Sequence, residues 1–142
     1  MRNIGKLILS LFAIFAGVGA YAADWNETHI YNPNWPPHAK FHNAQTMLMG
    51  TFLGLSSLFF LWRRQGTPRD NLDAGATLAA LYYVTQSGSI LFPGTAAIDP
   101  EFVDKYPQPK VAGIPLTISL LDIPVLLVLG AAYLLQRRSI ER

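Results

Sequence analysis

The chain has 142 residues and a net charge of +2, and 51% of its residues are hydrophobic whereas only 14% are charged. Its length predicts a single domain, and its charged fraction, well below the roughly 25% of soluble domains, indicates a membrane protein. The absence of cysteine excludes disulfides, thiolate metal sites and cysteine nucleophiles, and the small charge without a basic, aromatic-rich stripe excludes nucleic acid as a partner.

Four long apolar runs predict membrane-spanning helices, and they cover residues 7–23, 44–62, 72–92 and 111–136. Each run is close to the ~20 residues that a helix needs to cross the bilayer core. None of them shows the alternation that is typical of barrel strands. The predicted fold is therefore all-α, an integral membrane four-helix bundle that forms one domain over residues 1–142, has two ordered outer loops and contacts the lipid bilayer.

The basic residues indicate which way the bundle faces. Eight of the eleven lie before the first run, between the second and third, or after the fourth: Arg2, Lys6, Arg63, Arg64, Arg69, Arg137, Arg138 and Arg142. Basic residues near span ends favour the cytoplasmic side. Both termini are therefore predicted to be cytoplasmic if the first run is retained, and the expected location is a bacterial inner membrane.

The first run has two interpretations. Its basic start and the A-x-A sequence at residues 20–22 are typical of a secretory signal with a cleavage site. The small residues Ala13 and Gly17, and likewise Ala16 and Ala20, lie four apart, which is typical of membrane helices that pack closely. A retained span is the preferred interpretation and a cleaved signal is the alternative, and the rest of the topology is the same in both.

All three histidines lie in the first outer segment, residues 24–43. A helix that begins near Pro36 places His38 and His42 one turn apart on one face, and His29 can fold back toward them. Imidazoles so placed can ligate a metal ion or haem, and His38 and His42 are also candidate catalytic proton carriers. The alternative is that they are polar residues at the lip of a span, hydrogen-bonded to the loop backbone.

Asp122 is a further candidate catalytic residue. It lies inside the fourth run, roughly 13 Å deep at a rise of 1.5 Å per residue, and an ionisable group at that depth predicts a functional site. The alternative is that a protonated Asp122 only hydrogen-bonds a neighbouring helix. Polar residues of the second, third and fourth runs recur at helical offsets and are expected to converge on a small outer cavity. The predicted ligand-binding residues are Trp35, Gln45, Tyr82, Gln86 and Ser119.

The segment N-P-N-W-P-P-H-A-K-F-H at residues 32–42 resembles one found in a family of small four-span membrane proteins of unknown function. The resemblance extends from D-W-N-x-T-H at residues 24–29 to Q-T-M at residues 45–47. It implies the four-span architecture and carries no chemistry. That architecture is also similar to the sterol-isomerase and sigma-2-receptor type of fold, which binds lipophilic amines and sterols, although the acidic motif of that group has no residue-by-residue match here.

These patterns predict a protein that binds or converts a hydrophobic small molecule in a cavity open to the non-cytoplasmic side, with Asp122 beside the ligand. One alternative is a redox component whose histidines hold a metal ion or haem. Another is a non-catalytic accessory subunit whose outer loops contact a partner protein. Whether the protein is an enzyme is left open by these patterns.

Overall fold

The computed structural model describes residues 3–141, so Arg2 and Arg142 of the predicted basic side lie outside the described residues. Four long helices make up most of this part of the chain and confirm the predicted all-helical class. They are α1 (Ile4–Asp24), α2 (Pro37–Trp62), α3 (Pro68–Gly88) and α4 (Ile118–Ile140). Between α3 and α4 lie two short 3-10 helices, Ser89–Leu91 and Pro100–Phe102, and a hairpin of two antiparallel strands, β1 (Lys110–Val111) and β2 (Ile114–Pro115).

Proline residues mark where two of the helices begin. Helix α2 starts at Pro37, one residue after the predicted start, and Pro36 before it is extended. Helix α3 starts at Pro68, and the side chain of its N-cap residue Thr67 accepts a hydrogen bond from the backbone N–H of Asp70 over 3.1 Å. Proline suits the first helical turn because the N–H that it lacks would have no partner there. The chain therefore enters both helices with few unsatisfied donors.

The helices pack as an antiparallel bundle in which each contacts the next and α1 also contacts α3 and α4. Helices α1 and α2 approach most closely through small residues. A Cβ atom added at Gly50 would meet the carbonyl oxygen of Ala16, and one added at Gly54 would meet that of Ala13. Small residues at such positions let two helix backbones touch. The A-x-A sequence at residues 20–22 lies inside α1.

The start of the fourth helix corrects the prediction from the sequence. The apolar run begins at residue 111, but α4 begins at Ile118. The intervening residues form the hairpin because Ala112 and Gly113 adopt left-handed conformations, with φ of 51° and 81°, that reverse the chain. The third run was likewise predicted to extend to residue 92, whereas α3 ends at Gly88. As a result Asp122 is only the fifth residue of α4, about 6 Å along its axis.

The two ends of the bundle differ in character. At one end, which we call the basic end, Lys6 of α1 lies over the ring of Trp62 at the end of α2, and Tyr133 of α4 donates to Asp73 of α3 over 2.9 Å. At the other end lie the two long connections, residues 25–36 and 89–117, which we call the cap. Helices α1, α2 and α4 are each long and apolar enough to cross a membrane, and α3 is not among them.

Candidate functional site

A cavity of about 240 Å³ lies among α1, α3 and α4 at the end of the bundle nearest the cap. We call it the inner cavity. Its polar lining comes from Asp24 at the end of α1, Tyr82, Tyr83 and Gln86 on α3, and Asp122 on α4. The rest of its wall is apolar or small, and includes Phe15, Gly19, Ala20 and Ile118. The structure therefore brings the predicted residues Tyr82, Gln86 and Asp122 to one place, and adds Asp24.

The carboxylate of Asp122 is buried, with only 4% of the residue exposed. Ser87 donates a hydrogen bond from Oγ to its Oδ2 over 3.2 Å. When the Gln86 amide is oriented with Nε2 toward the carboxylate, Nε2 lies 3.1 Å from Oδ2 and 3.2 Å from Oδ1. This orientation is the consistent one because an ionised carboxylate only accepts hydrogen bonds. Among residues 3–141, no Lys, Arg or His side chain forms an ion pair with Asp122.

The remaining residues predicted for this cavity lie elsewhere. Ser119 does not line the cavity. Its backbone carbonyl oxygen accepts a hydrogen bond from the hydroxyl of Ser87 over 3.4 Å. His42 and Gln45 lie on an exposed face of α2 and contact each other, with 3.2 Å between His42 Nδ1 and Gln45 Oε1. Trp35 belongs to the cap. The polar residues of α3 and α4 thus meet at the inner cavity as predicted, whereas those of α2 do not.

The histidines form two separate groups. His38 and His42 lie one turn apart on α2, as their spacing predicts, and their Nε2 atoms are 3.1 Å apart. His29 instead places Nδ1 2.6 Å from the hydroxyl of Thr28 and Nε2 3.7 Å from Oδ1 of Asp24. Within residues 3–141 no three His, Asp or Glu side chains are grouped so that they can hold a metal ion. A metal ion or haem at these histidines therefore stays a prediction.

Two asparagines of the first connection bind the second connection. Nδ2 of Asn32 donates to Oε1 of Glu101 over 2.7 Å, and Nδ2 of Asn34 donates to Oε2 of the same residue over 2.6 Å. Asn32 is fully buried. Beside this pair, Nε1 of Trp35 donates to Oδ2 of Asp99 over 2.8 Å. The N-P-N-W sequence therefore has a structural role, because three of its side chains hold the loop between α3 and α4.

A third contact between the two connections involves charge. Lys105 and Tyr106 both donate to Oε1 of Glu27, the tyrosine over 2.6 Å. The hydrogen bond from Lys105, together with that from Tyr106, lowers the pKa of Glu27. The same bond to Glu27 raises the pKa of Lys105 and that of Tyr106. These shifts favour an ionised Glu27, a protonated Lys105 and a neutral Tyr106, which are the states that form the hydrogen bonds. The three side chains therefore connect the two parts of the cap near neutral pH.

The cap encloses a second cavity, of about 450 Å³, which we call the cap cavity. Trp35 and His29 form one part of its wall, with their rings edge to face and their centroids 5.1 Å apart. Tyr106, Asp99 and residues 96–98 come from the second connection. Trp35, which the sequence placed with the ligand-binding residues, therefore lines this cavity rather than the inner one.

Several residues of these sites were missed from the sequence. Ser87 directly follows Gln86, and a serine within an apolar span beside a buried carboxylate is a recognisable signal. Asp24 directly follows the first apolar run, and no pattern there predicts that it lines a cavity. Asp99 and Glu101 gave no local signal, because their partners lie more than 60 residues earlier in the chain.

Comparison with protein families shows a relationship over nearly the whole chain. A family of unknown function (DUF6640) matches residues 8–142, and the chain belongs to that family. No curated protein and no solved structure matches the chain.

Proposed function

We propose that this member of the family is a polytopic membrane protein that binds a hydrophobic small molecule in the inner cavity, or converts it there. The observation that carries this proposal is the uncompensated carboxylate of Asp122 at an otherwise largely apolar cavity. On insertion scales a charged side chain costs up to about 2.5–3.5 kcal/mol at the centre of a membrane helix, and less near a helix end, where Asp122 lies as the fifth residue of α4. A group kept at such a cost, and held in position by Ser87 and Gln86, is a functional group by default.

The proposal places all four helices in the membrane. Helices α1, α2 and α4 meet the length and composition required. Helix α3 has 21 residues, and it packs against all three of the others, so that much of its surface touches protein and not lipid. Since helices of a membrane bundle can place polar residues toward its interior, the modest hydropathy of α3 is consistent with a fourth span.

The orientation follows from the charges at the basic end. Lys6, Arg63, Arg69 and Arg137 belong to four helix ends that the antiparallel packing brings to one side. By the positive-inside tendency this side is cytoplasmic. The termini are then cytoplasmic, and the cap and the inner cavity face the opposite side. The bacterial inner membrane stays a prediction from the sequence.

The surroundings of the cavity suit a lipophilic ligand. A groove of about 380 Å³ between α2 and α3 is lined by Met49, Leu53, Tyr82 and Gln86. Tyr82 and Gln86 line the inner cavity as well. The two share these side chains, so the groove on the outer surface of the bundle lies next to the cavity. In a membrane that surface faces lipid, so on this proposal a hydrophobic molecule approaches Asp122 from the lipid side, past Tyr82 and Gln86.

The contacts favour binding over a reaction that uses histidine. His38 and His42 pair with each other on α2 and do not line the inner cavity. A reaction in the cavity would use Asp122, with the hydroxyl of Tyr82 as a further proton donor in the lining. The metal or haem component and the accessory subunit stay predictions from the sequence.

Ligand retention by matched variants tests the proposal. The full chain is purified in mild detergent, and co-purified small molecules are extracted and identified by mass spectrometry. We expect wild type to retain a lipophilic molecule that Asp122→Asn loses. Asp73→Asn is the control, because Asp73 lies near the basic end and accepts from Tyr133. Equal retention by Asp122→Asn and wild type, with both folded by circular dichroism, would remove Asp122 from the site.

A further inference from the structure

The cap cavity has a composition that the inner cavity does not explain. It is the larger of the two, at about 450 Å³ against about 240 Å³, and its lining combines aromatic rings with one carboxylate and lacks Lys and Arg. We propose that the cap cavity is a separate binding site for a quaternary ammonium group. This inference does not depend on the proposed function, because different side chains line the two cavities, with Ala23 as the exception.

Aromatic rings supply the first component of such a site. Trp35, His29 and Tyr106 all line the cavity, and they come from both connections of the cap. The edge-to-face packing of His29 on Trp35 fixes the positions of these two rings. The negative face of an aromatic ring attracts a cation within about 6 Å, and tryptophan does so most strongly. Rings on more than one side of a cavity are the usual arrangement for recognising quaternary ammonium.

A carboxylate supplies the second component. Asp99 lines the cavity and uses Oδ2 to accept from Trp35. Its other oxygen, Oδ1, accepts no hydrogen bond from any side chain or backbone group of residues 3–141. The bond to Trp35 therefore holds the carboxylate beside the indole ring while leaving charge for a ligand. A cation at this place would interact with the ring and with the carboxylate together.

The remaining charge near the cavity is compatible with a cation. Lys105 lies next to a lining ring, over Tyr106, with 5.5 Å between Nζ and the ring centroid. It donates to Glu27, which neutralises it. The wall of the cap cavity therefore holds the carboxylate of Asp99 and no Lys or Arg side chain.

The hydrogen bonds around the cavity distinguish a quaternary ammonium from a primary one. The hydroxyl of Tyr106 donates to Glu27, and Thr28 Oγ1 is shared between Asn26 and His29. Nδ2 of Asn26 donates to a backbone carbonyl. A primary ammonium carries three N–H donors and needs an acceptor for each, whereas a quaternary ammonium has none. The side chains of Tyr106, Thr28 and Asn26 are thus already engaged in hydrogen bonds, and a lining of this kind suits a group that makes none.

Choline and its neutral isostere test the inference directly. The full chain in detergent is titrated with choline and, separately, with 3,3-dimethylbutan-1-ol, which has the same shape and no charge, and binding is followed by calorimetry. We expect saturable binding of choline and at least about tenfold weaker binding of the alcohol, because loss of the cation–π attraction costs roughly that factor. Equal binding of the two compounds would overturn the inference.

Variants of the lining assign any binding to the cap cavity. Tyr106→Leu removes the ring and should weaken choline binding about tenfold, whereas Tyr106→Phe keeps the ring and should bind within about twofold of wild type. Asp99→Asn keeps an acceptor for Trp35 and removes the charge, so it should also weaken binding. Tyr31→Leu is the control, because Tyr31 is an exposed cap tyrosine outside the lining. Unchanged choline binding in both Tyr106→Leu and Asp99→Asn would contradict the assignment.

The quaternary ammonium has two chemical sources, a free solute and the headgroup of phosphatidylcholine. Binding of free choline by the detergent-purified protein identifies the first. For the second, the protein is placed in nanodiscs that contain equal amounts of phosphatidylcholine and phosphatidylglycerol. The lipids that stay bound to it are then identified by native mass spectrometry. Enrichment of phosphatidylcholine that disappears in Tyr106→Leu would support the headgroup. If free choline does not bind and phosphatidylcholine is not enriched, the inference is overturned for both sources.

Discussion

Ser87 of α3 donates a hydrogen bond from Oγ to Oδ2 of Asp122 on α4 over 3.2 Å, and this bond joins two helices at the wall of the inner cavity. Gln86, the residue before Ser87, approaches the same carboxylate with its amide. Two consecutive residues of α3 thus hold one side chain of α4. The carboxylate is kept in a defined position without a cation, which leaves its charge for a ligand or for a proton.

The Ser87–Asp122 bond should contribute measurably to stability. We expect Ser87→Ala to lower the free energy of unfolding by about 1–2 kcal/mol, because a buried carboxylate loses a donor. Ser89→Ala is the control, since Ser89 is exposed and its hydroxyl donates to the carbonyl oxygen of Gln86, three residues earlier in the chain; we expect it to change the value by less than about 0.5 kcal/mol. Unfolding by sodium dodecyl sulfate in mixed micelles measures both. Equal values for the two variants would show that the bond is unimportant.

The bonds from Asn32 and Asn34 to Glu101 should keep the second connection of the cap in place. In Glu101→Ala the buried amide of Asn32 loses its acceptor, which costs about 1–3 kcal/mol for an unsatisfied buried group. We therefore expect faster hydrogen exchange of backbone amides in residues 93–110, measured by mass spectrometry. Asp104→Ala, at an exposed position of the same loop, should leave the exchange unchanged. A similar increase in both variants would assign the effect to the loop in general.

The contact of Glu27 with Lys105 and Tyr106 should make the cap sensitive to pH. The pKa of Glu27 is lowered from its ordinary 4.5 by the bond from Lys105, so its stabilising effect is complete above about pH 4.5 and is lost as the pH falls through the folded value. The pKa of Lys105 is raised from its ordinary 10.5 by the bond to Glu27, so its effect is complete below about pH 10.5 and is lost at higher pH.

A nitroxide attached through Asp104→Cys reports this directly, since the chain has no other cysteine. We expect the label to be constrained near pH 7 and to gain mobility below pH 4.5. In a Glu27→Gln background the label should already be mobile at pH 7 and should change little on acidification. Equal mobility of the label at pH 7 in the two backgrounds would show that the contact does not hold the cap.

The helices and part of the inner cavity were predictable because they depend on local patterns. Apolar runs identify helices, and a helical offset of four places Tyr82 and Gln86 on one face. The start of α4 was not predictable from hydropathy, since residues 111–116 are as apolar as a span. The left-handed conformations of Ala112 and Gly113 decide it instead.

The polar face of α2 shows why convergence cannot be read from spacing alone. The rotation of α2 is set by Gly50 and Gly54, which face α1. Gln45 lies nine residues before Gly54, which is about 180° around a helix with 3.6 residues per turn. Gln45 therefore points away from the bundle. The contacts of Asn32 and Trp35 with the second connection likewise depend on where the bundle brings two distant segments, and no local pattern encodes that.

The most direct test of ligand binding in the inner cavity fills it without disturbing the packing around it. Gly19 lines the cavity, and a Cβ atom added there meets no atom within 4 Å, so the Cβ atom of Gly19→Leu enters open space. Gly130 is a matched control: it is also a helical glycine whose added Cβ meets nothing within 4 Å, and it lines a different groove, between α3 and α4.

Native mass spectrometry of wild type, Gly19→Leu and Gly130→Leu, each released from mild detergent, decides the question. If the inner cavity binds a lipophilic molecule, wild type and Gly130→Leu carry one adduct of small-lipid mass per chain and Gly19→Leu does not. The same adduct on all three proteins, or on none of them, would contradict a ligand site in the inner cavity.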